Sequence, residues 1–230
     1  MPTEKPGEET DTADLPARLR HVYWIGGGSG AGKSTVARRL ADRHGWGLYA
    51  TDDVMHEHAR RTTREEAPLL HEFMAMDMDE RWVNRSPEVM LETFPWFHGE
   101  AFGLIVQDLL RLPAKPCTVV EGFRLLPRLV EPLLAAPERA VWLLPTPAFR
   151  QAVFDRRSAS GEGFVRKTSN PSRAARNLAE RDRMFTERVE KEAGRLRLRT
   201  VLVETSMTED DLVEQVSTAF RLRRYGRPAT

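Results

Sequence analysis

Cysteine is almost absent from this sequence, which has one, Cys117, among 230 residues. A single cysteine cannot form an internal disulfide, and such sparse use is typical of proteins that work in a reducing compartment. The first residues also lack the basic and then apolar order of a secretion signal. We therefore expect a cytoplasmic protein.

Long apolar runs are missing as well: the longest span a few residues, whereas a helix that crosses a bilayer needs about 20. An excess of one charge is also lacking, because 35 Lys and Arg residues balance 34 Asp and Glu residues. Neither a membrane nor a nucleic acid is therefore an expected partner. A chain of this length with 40% hydrophobic residues is sufficient for one large globular domain.

Both ends of the chain are poor in large apolar residues. Residues 1–20 are rich in Glu, Asp, Thr and Pro, so they bury too little surface to offset the entropy of ordering. We predict a disordered tail there and a second tail over residues 226–230, after a basic stretch that is broken by Gly226 and Pro228. The predicted domain therefore covers residues 21–225.

A glycine-rich stretch near the start of this domain predicts a strand, a loop and a helix in that order. An apolar run over residues 22–25 is followed by a cluster of glycines. An amphipathic pattern through Val36, Ala37 and Leu40 then predicts a helix.

The loop matches the pattern G-x-x-x-x-G-K-[ST] at Gly27, Gly32, Lys33 and Ser34. Glycines allow positive φ, so backbone N–H groups can turn inward beside a helix N-terminus and bind an anion. The alternative is a glycine-rich turn in an ordinary β–α unit, but the predicted strand and helix on either side favour phosphate binding. The predicted nucleotide-binding residues are Gly27, Gly28, Ser29, Gly30, Ala31, Gly32, Lys33, Ser34 and Thr35.

These residues resemble a Walker A loop, so we expect a nucleoside triphosphate and Mg²⁺. Lys33 would reach the β- and γ-phosphates, and the Ser34 hydroxyl would bind the metal.

A second strand over residues 48–50 is followed by Asp52 and Asp53. Side chains at the carboxyl ends of parallel strands face the ligand crevice, so we expect carboxylates near the phosphate site. Because Asp is also a preferred N-cap, one of the two could instead cap the next helix. Both interpretations can hold together.

Residues 54–113 carry helical patterns and no strand signal, with Ser86-Pro87 marking one helix start and a second helix expected from Gly99 to Leu112. Sixty residues exceed an ordinary crossover, so we predict a helical insertion on the acceptor side of the site. A short apolar run then ends at Glu121-Gly122. Strand context favours Glu121 as an acid of the metal site; the alternative is a turn residue before Gly122.

Residues 158–170 are small, polar and glycine-bearing, and we interpret them as a mobile loop between two helices. Residues 150–183 include nine basic residues and only four acidic ones. Intrahelical pairs such as Glu180 with Arg183 explain part of this excess. Arginines on a closing loop are also what phosphoryl transfer requires, because they stabilise charge on the transferred group.

Four stretches together resemble the nucleotide and small-molecule kinases of the P-loop class: GGGSGAGKST, TDD, VVEG and the arginine-bearing loop. That group includes adenylate, uridine, shikimate and gluconate kinases and chloramphenicol phosphotransferase. The resemblance implies an α/β fold in which a five-stranded parallel sheet has helices on both faces, a helical acceptor-binding insertion and a lid at residues 158–170.

The resemblance also implies roles for single residues. Asp52 would be the base that accepts the acceptor's hydroxyl proton, with Asp53 as its alternate. Glu121 would orient Mg²⁺ through water or bind the acceptor. The lid cations would be Arg156, Arg157 and Arg166.

The expected activity is ATP-dependent phosphorylation of a hydroxyl on a small molecule, either a metabolite, a nucleoside or an antibiotic. The third strand lacks the D-G-x-P-R motif of adenylate kinases, which disfavours a nucleoside monophosphate acceptor. A nucleotide kinase remains the alternative within this chemistry. A nucleotide-binding regulator or ATPase is the alternative from another class.

Overall fold

The computed structural model describes residues 14–160 and 163–222 of the chain. Five strands form one sheet: β1 (Val22–Gly27), β2 (Gly47–Ala50), β3 (Thr118–Glu121), β4 (Ala140–Pro145) and β5 (Thr200–Val203). Their order across the sheet is β2-β3-β1-β4-β5, and every pairing is parallel. The predicted five-stranded parallel sheet is confirmed.

The described ranges also contain twelve α-helices. They are α1 (Leu15–Arg18), α2 (Lys33–His44), α3 (Met55–Arg60), α4 (Pro68–Ala75), α5 (Met78–Trp82), α6 (Pro87–Thr93), α7 (Pro95–His98), α8 (Phe102–Arg111), α9 (Pro127–Val130), α10 (Pro147–Ser160), α11 (Pro171–Arg195) and α12 (Glu209–Ala219). No helix in these ranges has both the length and the apolar character needed to cross a bilayer.

Helices cover both faces of the sheet, which explains why β1, β3 and β4 are buried along their whole length. One face packs against α2 and α12, where Ile25, Val36 and Val216 belong to the same core cluster. The other face packs against most of the remaining helices in a larger cluster that includes Trp24 and Phe185, while Phe149 of α10 packs against the first cluster.

The region between β2 and β3 is helical, from α3 to α8. The predicted helix start at Ser86-Pro87 has the expected cap, because the Ser86 hydroxyl accepts a hydrogen bond from the Val89 N–H at 3.3 Å. The helix expected over Gly99–Leu112 is α8, which is shorter by a few residues at its N-terminal end.

The predicted N-terminal tail is wrong for residues 14–20. Helix α1 forms there, and Leu19 is 1% exposed in the larger core cluster, with Leu15 packed against it. Two leucines give this segment enough apolar burial to order it, although its composition is polar. Residues 1–13 and 223–230 lie outside the described ranges, so the rest of that tail and the predicted tail at 226–230 stay predictions.

The predicted loop at residues 158–170 also differs from the structure. Helix α10 continues to Ser160, and a 3₁₀ helix forms over Phe164–Lys167 before α11 begins at Pro171. Ser and Ala at the end of α10 are compatible with a helix, so nothing local ends it at residue 157. Residues 161 and 162 lie outside the described ranges.

Candidate functional site

The loop from β1 to α2 has a backbone that glycine permits. Gly27, Gly30 and Gly32 have φ values of 121°, 74° and 80°. A Cβ at Gly27 would also collide with the carbonyl oxygen of Leu143 on β4. A residue with a side chain would be strained at these positive φ values, and at Gly27 it would also clash with β4.

This loop leads directly into the N-terminus of α2, whose first residue is Lys33. The N-cap is Gly32, and no side chain caps the helix. Lys33 is 8% exposed, and its ammonium donates a hydrogen bond to the Gly28 carbonyl oxygen at 2.7 Å. An uncapped helix N-terminus, a curled loop and a held ammonium together form a site for a polyanion.

The ends of three strands converge beside this loop. Ile25 on β1 and Ala50 on β2 both pair with Glu121, the last residue of β3. Glu121 is 4% exposed and accepts a hydrogen bond from the Ser34 hydroxyl at 2.9 Å. Burial raises the pKa of the Glu121 carboxyl, while the hydrogen bond from Ser34 and the charge of Lys33 oppose that rise. The structure thus brings together the two residues predicted for the metal site.

Ser34 and Glu121 fit Mg²⁺ by their chemistry. Mg²⁺ prefers hard oxygen donors, and in nucleotide sites it takes one or two from the protein and the rest from phosphates and water. No cluster of three or more His, Cys, Asp or Glu side chains suited to a metal occurs in the part of the chain that the structure describes. The Ser34 hydroxyl and the Glu121 carboxylate, which are in hydrogen-bond contact, are the candidate donors for such an ion.

Asp52 follows β2 at the same edge, where it lines a cavity that also reaches Ser29 of the phosphate loop. By solvent accessibility the Asp52 residue is exposed, as Asp53 is, so its place in the cavity wall distinguishes the two. Burial raises the pKa of Asp52, and the Lys33 ammonium opposes the rise, so the two side chains lie within electrostatic reach. The backbone is fixed here because the Thr51 N–H donates to the Glu121 carbonyl oxygen at 2.9 Å.

Gly122 is needed for this close approach. Its φ is 149°, and a Cβ would collide with the Thr51 hydroxyl. Gly122 therefore lets the end of β3 lie against Thr51, the residue before Asp52. Glu121 itself belongs to β3, so the interpretation of Glu121 as a simple turn residue is incomplete.

The capping interpretation of Asp52 and Asp53 does not match the structure. Helix α3 has Val54 as its N-cap, with no side-chain hydrogen bond to the cap. Asp53 is exposed and does not belong to the described wall of the cavity. Asp52 thus has the better position of the two for a ligand.

Arg124 is a buried residue that sequence reasoning missed. It is 2% exposed and donates to the carbonyl oxygens of Thr51 and Ala101 at 3.1 and 3.3 Å, and to His58 Nδ1 at 3.1 Å. Burial lowers its pKa to about 10. Its guanidinium also lies 4.4 Å from the centre of the Trp96 ring. Arg124 therefore ties the backbone beside Asp52 to the helical insertion.

The hydrogen bond from Arg124 fixes the tautomer of His58. A guanidinium cannot accept, so His58 Nδ1 accepts and the Nε2–H donates to Asp108 Oδ2 at 2.7 Å. Burial lowers the pKa of His58, in keeping with a neutral ring. Tyr49 donates to the same carboxylate oxygen at 2.8 Å. The hydrogen-bonded series of Asp108, His58 and Arg124 thus fixes the end of β2, through Tyr49 at one end and the Thr51 carbonyl at the other.

We expect Arg124→Met to lower the free energy of unfolding by about 2–4 kcal/mol, since it leaves the Thr51 carbonyl and His58 Nδ1 buried without a donor. Chemical denaturation measures the change. The matched control is Arg60→Met, because Arg60 is exposed; it should change stability by less than about 0.5 kcal/mol. Equal stability of the two variants would show that the network does not hold this part of the fold.

The cavity beside Asp52 has a volume of about 810 Å³ and a largely aromatic wall. The helical insertion contributes Phe73, Trp82, Phe94, Trp96 and Phe97 to this wall. Phe123, which follows β3, contributes another ring. The region after β4 contributes Phe149, Phe154, Phe164 and Phe185. Charged groups are few: besides Asp52, the wall contains Arg150, Arg181 and Asp182.

Two of the predicted lid cations, Arg156 and Arg166, are absent from the described wall of the cavity. Arg156 is exposed on α10, and Arg166 is exposed on the 3₁₀ helix after it. Arg157 also belongs to α10, but its side chain lies outside the described part of the chain. Their role stays a prediction. The arginines that line the cavity, Arg150 and Arg181, come from the same basic region, so the sequence indicated the region but not these positions.

No protein-family model matches the chain, and no curated protein matches it. Among solved structures, the chain is similar to a gluconokinase from Sinorhizobium meliloti 1021, at 18% sequence identity and a TM-score of 0.45. The match covers 89% of this chain and 93% of that one. At this identity and score, the likeness carries no argument about what the present chain acts on.

Proposed function

We propose that this protein is an ATP-dependent phosphotransferase that moves the γ-phosphoryl group of ATP to a hydroxyl of a small molecule. One observation has the most weight: a carboxylate, Asp52, lines the same cavity as Ser29 of the phosphate loop. A donor site for a polyanion and a separate cavity for an acceptor therefore meet at a group that can accept a proton.

The chemistry assigned to the chain is a direct transfer. Asp52 takes the proton of the acceptor hydroxyl as the hydroxyl oxygen attacks the γ-phosphorus of ATP. The bond from the γ-phosphorus to the bridging oxygen breaks, and ADP leaves with that oxygen. Lys33 and the backbone N–H groups of the loop stabilise the charge on the phosphate oxygens.

Ser34 and Glu121 would hold Mg²⁺ in this reaction. The ion would neutralise charge on the β- and γ-phosphates, which is its general role in phosphoryl transfer. Glu121 meanwhile fixes the Ser34 hydroxyl, since that hydroxyl donates to its carboxylate at 2.9 Å. Glu121 is buried, whereas Ser34 is exposed at the start of α2.

The test is a screen of pooled metabolites, nucleosides and aminoglycosides with ATP and Mg²⁺, read by thermal shift and by ADP release. A kinase should release ADP rapidly in some pools and only slowly without acceptor. A regulator or ATPase should release ADP at the same rate in every pool, and that pattern would contradict the proposal. Phosphorylation of a nucleoside monophosphate alone would favour the nucleotide kinase.

We also predict that residues 158–170 act as a lid that closes when nucleotide and acceptor bind, because water must be excluded from the transferring group. A contact already links this segment to the insertion: the Ser169 N–H donates to Asp79 Oδ1 at 2.7 Å. Limited proteolysis should show slower cleavage in this segment with an ATP analogue and an acceptor. Equal cleavage rates with and without the ligands would rule out the lid.

A further inference from the structure

The charged groups in the wall of the cavity restrict what the acceptor can be. Four of its 22 residues carry a charge: Asp52, Arg150, Arg181 and Asp182. Arg181 and Asp182 neutralise each other, because Nε and Nη2 of the arginine both donate to Asp182 Oδ1, at 3.0 and 2.6 Å. Asp52 is the group to which the proposed function assigns the proton of the acceptor. Arg150 is therefore the charge in the described wall that has no assigned role.

One edge of the Arg150 guanidinium is without a partner. Nη1 donates to the Pro145 carbonyl oxygen at 2.9 Å. Nε and Nη2 have no acceptor among the residues that the structure describes, and neither atom is among the fully buried unpaired ones. Arg150 is half-buried and lines the cavity. Nε and Nη2 form one edge of the guanidinium, and such an edge matches the two oxygens of a carboxylate.

The charge of Arg150 also lacks a counter-ion. Hydrogen bonds from Arg183 lower the pKa of the Glu180 carboxyl, and the charges of Arg183 and Arg150 add to that effect. Both Glu180 oxygens, however, accept hydrogen bonds from Arg183, at 2.9 and 2.7 Å. No acid lies within ion-pair distance of Arg150 in the part of the chain that the structure describes. A half-buried cation of this kind favours an anionic ligand.

The rest of the wall is largely aromatic. Ten of its 22 residues are Phe or Trp, and Phe149 and Phe154 extend from the same helix as Arg150. A sugar acid would satisfy Arg150 but would bury several hydroxyls against these rings, at roughly 1–3 kcal/mol each. A flat apolar ring instead gains area burial and ring contacts. The volume of about 810 Å³ is in the range of pockets that hold drug-sized ligands, so two rings would fit.

We propose that the acceptor is an aromatic alcohol with a carboxylate group, whose carboxylate binds Nε and Nη2 of Arg150 while its rings lie against the aromatic wall and its hydroxyl lies at Asp52. Ser29 is the one residue that the phosphate loop contributes to the described wall, so the cavity lies mainly on the acceptor side of that loop. The inference rests on the proposed function for the fate of the hydroxyl, but binding of the acid can be measured without ATP.

The terminal phosphate of ATP is the other anion that Arg150 could meet. The ring of Pro145, whose carbonyl Arg150 binds, packs against the phosphate loop, since a Cβ at Gly28 would lie 3.0 Å from Pro145 Cδ. Lys33 and the N-terminus of α2 already supply positive charge to the phosphates. The acceptor carboxylate is therefore the partner that we assign to Arg150, and nucleotide affinity tests the other one.

Titration calorimetry on the full chain compares three probes: a hydroxymethyl biphenyl carboxylate, the primary amide of the same acid, and sodium gluconate. The aromatic acid should bind roughly tenfold more tightly than its amide, because charge-assisted hydrogen bonds replace neutral ones. Gluconate should bind at least roughly tenfold more weakly than the aromatic acid, because it has no ring. Equal affinity for the acid and the amide, gluconate binding as tight as that of the acid, or no binding of either aromatic probe would overturn the inference.

Variants of Arg150 test the residue itself. Arg150→Met should abolish the preference for the acid while the amide binds as before. Should that variant fail to fold, Arg150→Gln provides the same test, since its amide keeps an N–H donor for the Pro145 carbonyl. The matched control is Arg173→Met, because Arg173 is exposed on α11 and is absent from the described wall. Equal preference for the acid in the Arg150 variant and in the control would overturn the inference.

Nucleotide affinity separates the two anions. The Arg150 variant should bind ADP and a non-hydrolysable ATP analogue in the same ratio of affinities as the wild type. A variant that loses affinity for the analogue but not for ADP, and that keeps the preference for the aromatic acid, would assign Arg150 to the terminal phosphate and contradict the inference.

Adding ATP and Mg²⁺ separates this inference from the proposed function. If the aromatic acid binds with the expected preference but is never phosphorylated, the proposed function fails and the ligand class stands. If gluconate is phosphorylated and the aromatic acid is not, the phosphotransferase stands and the ligand class fails.

Discussion

Lys33→Ala should lower ATP turnover at least ~10²-fold, which corresponds to ~3 kcal/mol of lost transition-state stabilisation. The ammonium of Lys33 is 8% exposed and sits at the N-terminus of α2, where it would contact the phosphate oxygens. The change removes the hydrogen bond from the ammonium to the Gly28 carbonyl oxygen. The loop keeps its shape from the glycine backbone and from the Gly28 N–H bond to the Leu143 carbonyl at 3.1 Å. Coupled ADP release measures the rate, and circular dichroism checks the fold.

The matched control is Arg38→Ala on the same helix, since Arg38 is exposed. It removes a positive charge of the same helix without touching the loop, so turnover should stay within about twofold of wild type. A folded Lys33→Ala protein with turnover similar to that of the control would remove the phosphate loop from the mechanism.

Asp52→Asn should lower acceptor phosphorylation by ~10²- to 10⁴-fold and leave ATP affinity little changed. The amide keeps the size of the side chain and its hydrogen bond from the Thr51 hydroxyl, which spans 3.3 Å. It removes both the negative charge and the ability to take a proton. Initial rates of product formation and a separate titration with an ATP analogue measure the two quantities.

Asp53→Asn is the control for this change. Asp53 is the neighbouring carboxylate and does not belong to the described wall of the cavity, so its loss should have little effect. Damage from Asp53→Asn alone would move the base by one residue and keep the architecture. If both variants phosphorylate the acceptor normally, the direct-base mechanism fails.

The fold could be predicted from the sequence because its signals are local. The apolar run of β1, the glycines after it and the amphipathic start of α2 are contiguous, and each signal needs neighbours a few residues away. Glu121 was likewise found from a short apolar run that ends in an acid. The five-stranded parallel sheet was implied by the resemblance, whereas the order of its strands was not predicted.

Other parts of the candidate site depend on contacts between distant segments. Arg124 is a charged residue after a turn, and its burial follows from acceptors at Thr51, His58 and Ala101. No pattern near Arg124 indicates those partners. The same holds for Arg181, whose guanidinium lies against the rings of Trp82, Phe94 and Phe97.

The boundary errors have a similar origin. Composition predicted a tail up to residue 20, but Leu19 is buried against a core that forms from segments more than a hundred residues away. The aromatic residues of the insertion, such as Trp82 and Trp96, can be read from the sequence. Their arrangement around a cavity, however, depends on α10 and α11, which follow β4.

The most direct test of the central claim is to follow γ-labelled ATP into products when the protein is incubated with Mg²⁺ and pooled metabolites, nucleosides and aminoglycosides. The account predicts that label appears in an organic phosphate ester, that the ester gains the mass of one phosphoryl group, and that Lys33→Ala abolishes its formation. Label that appears solely in inorganic phosphate, at one rate with or without any small-molecule pool, would contradict the claim that this site transfers phosphate to an acceptor.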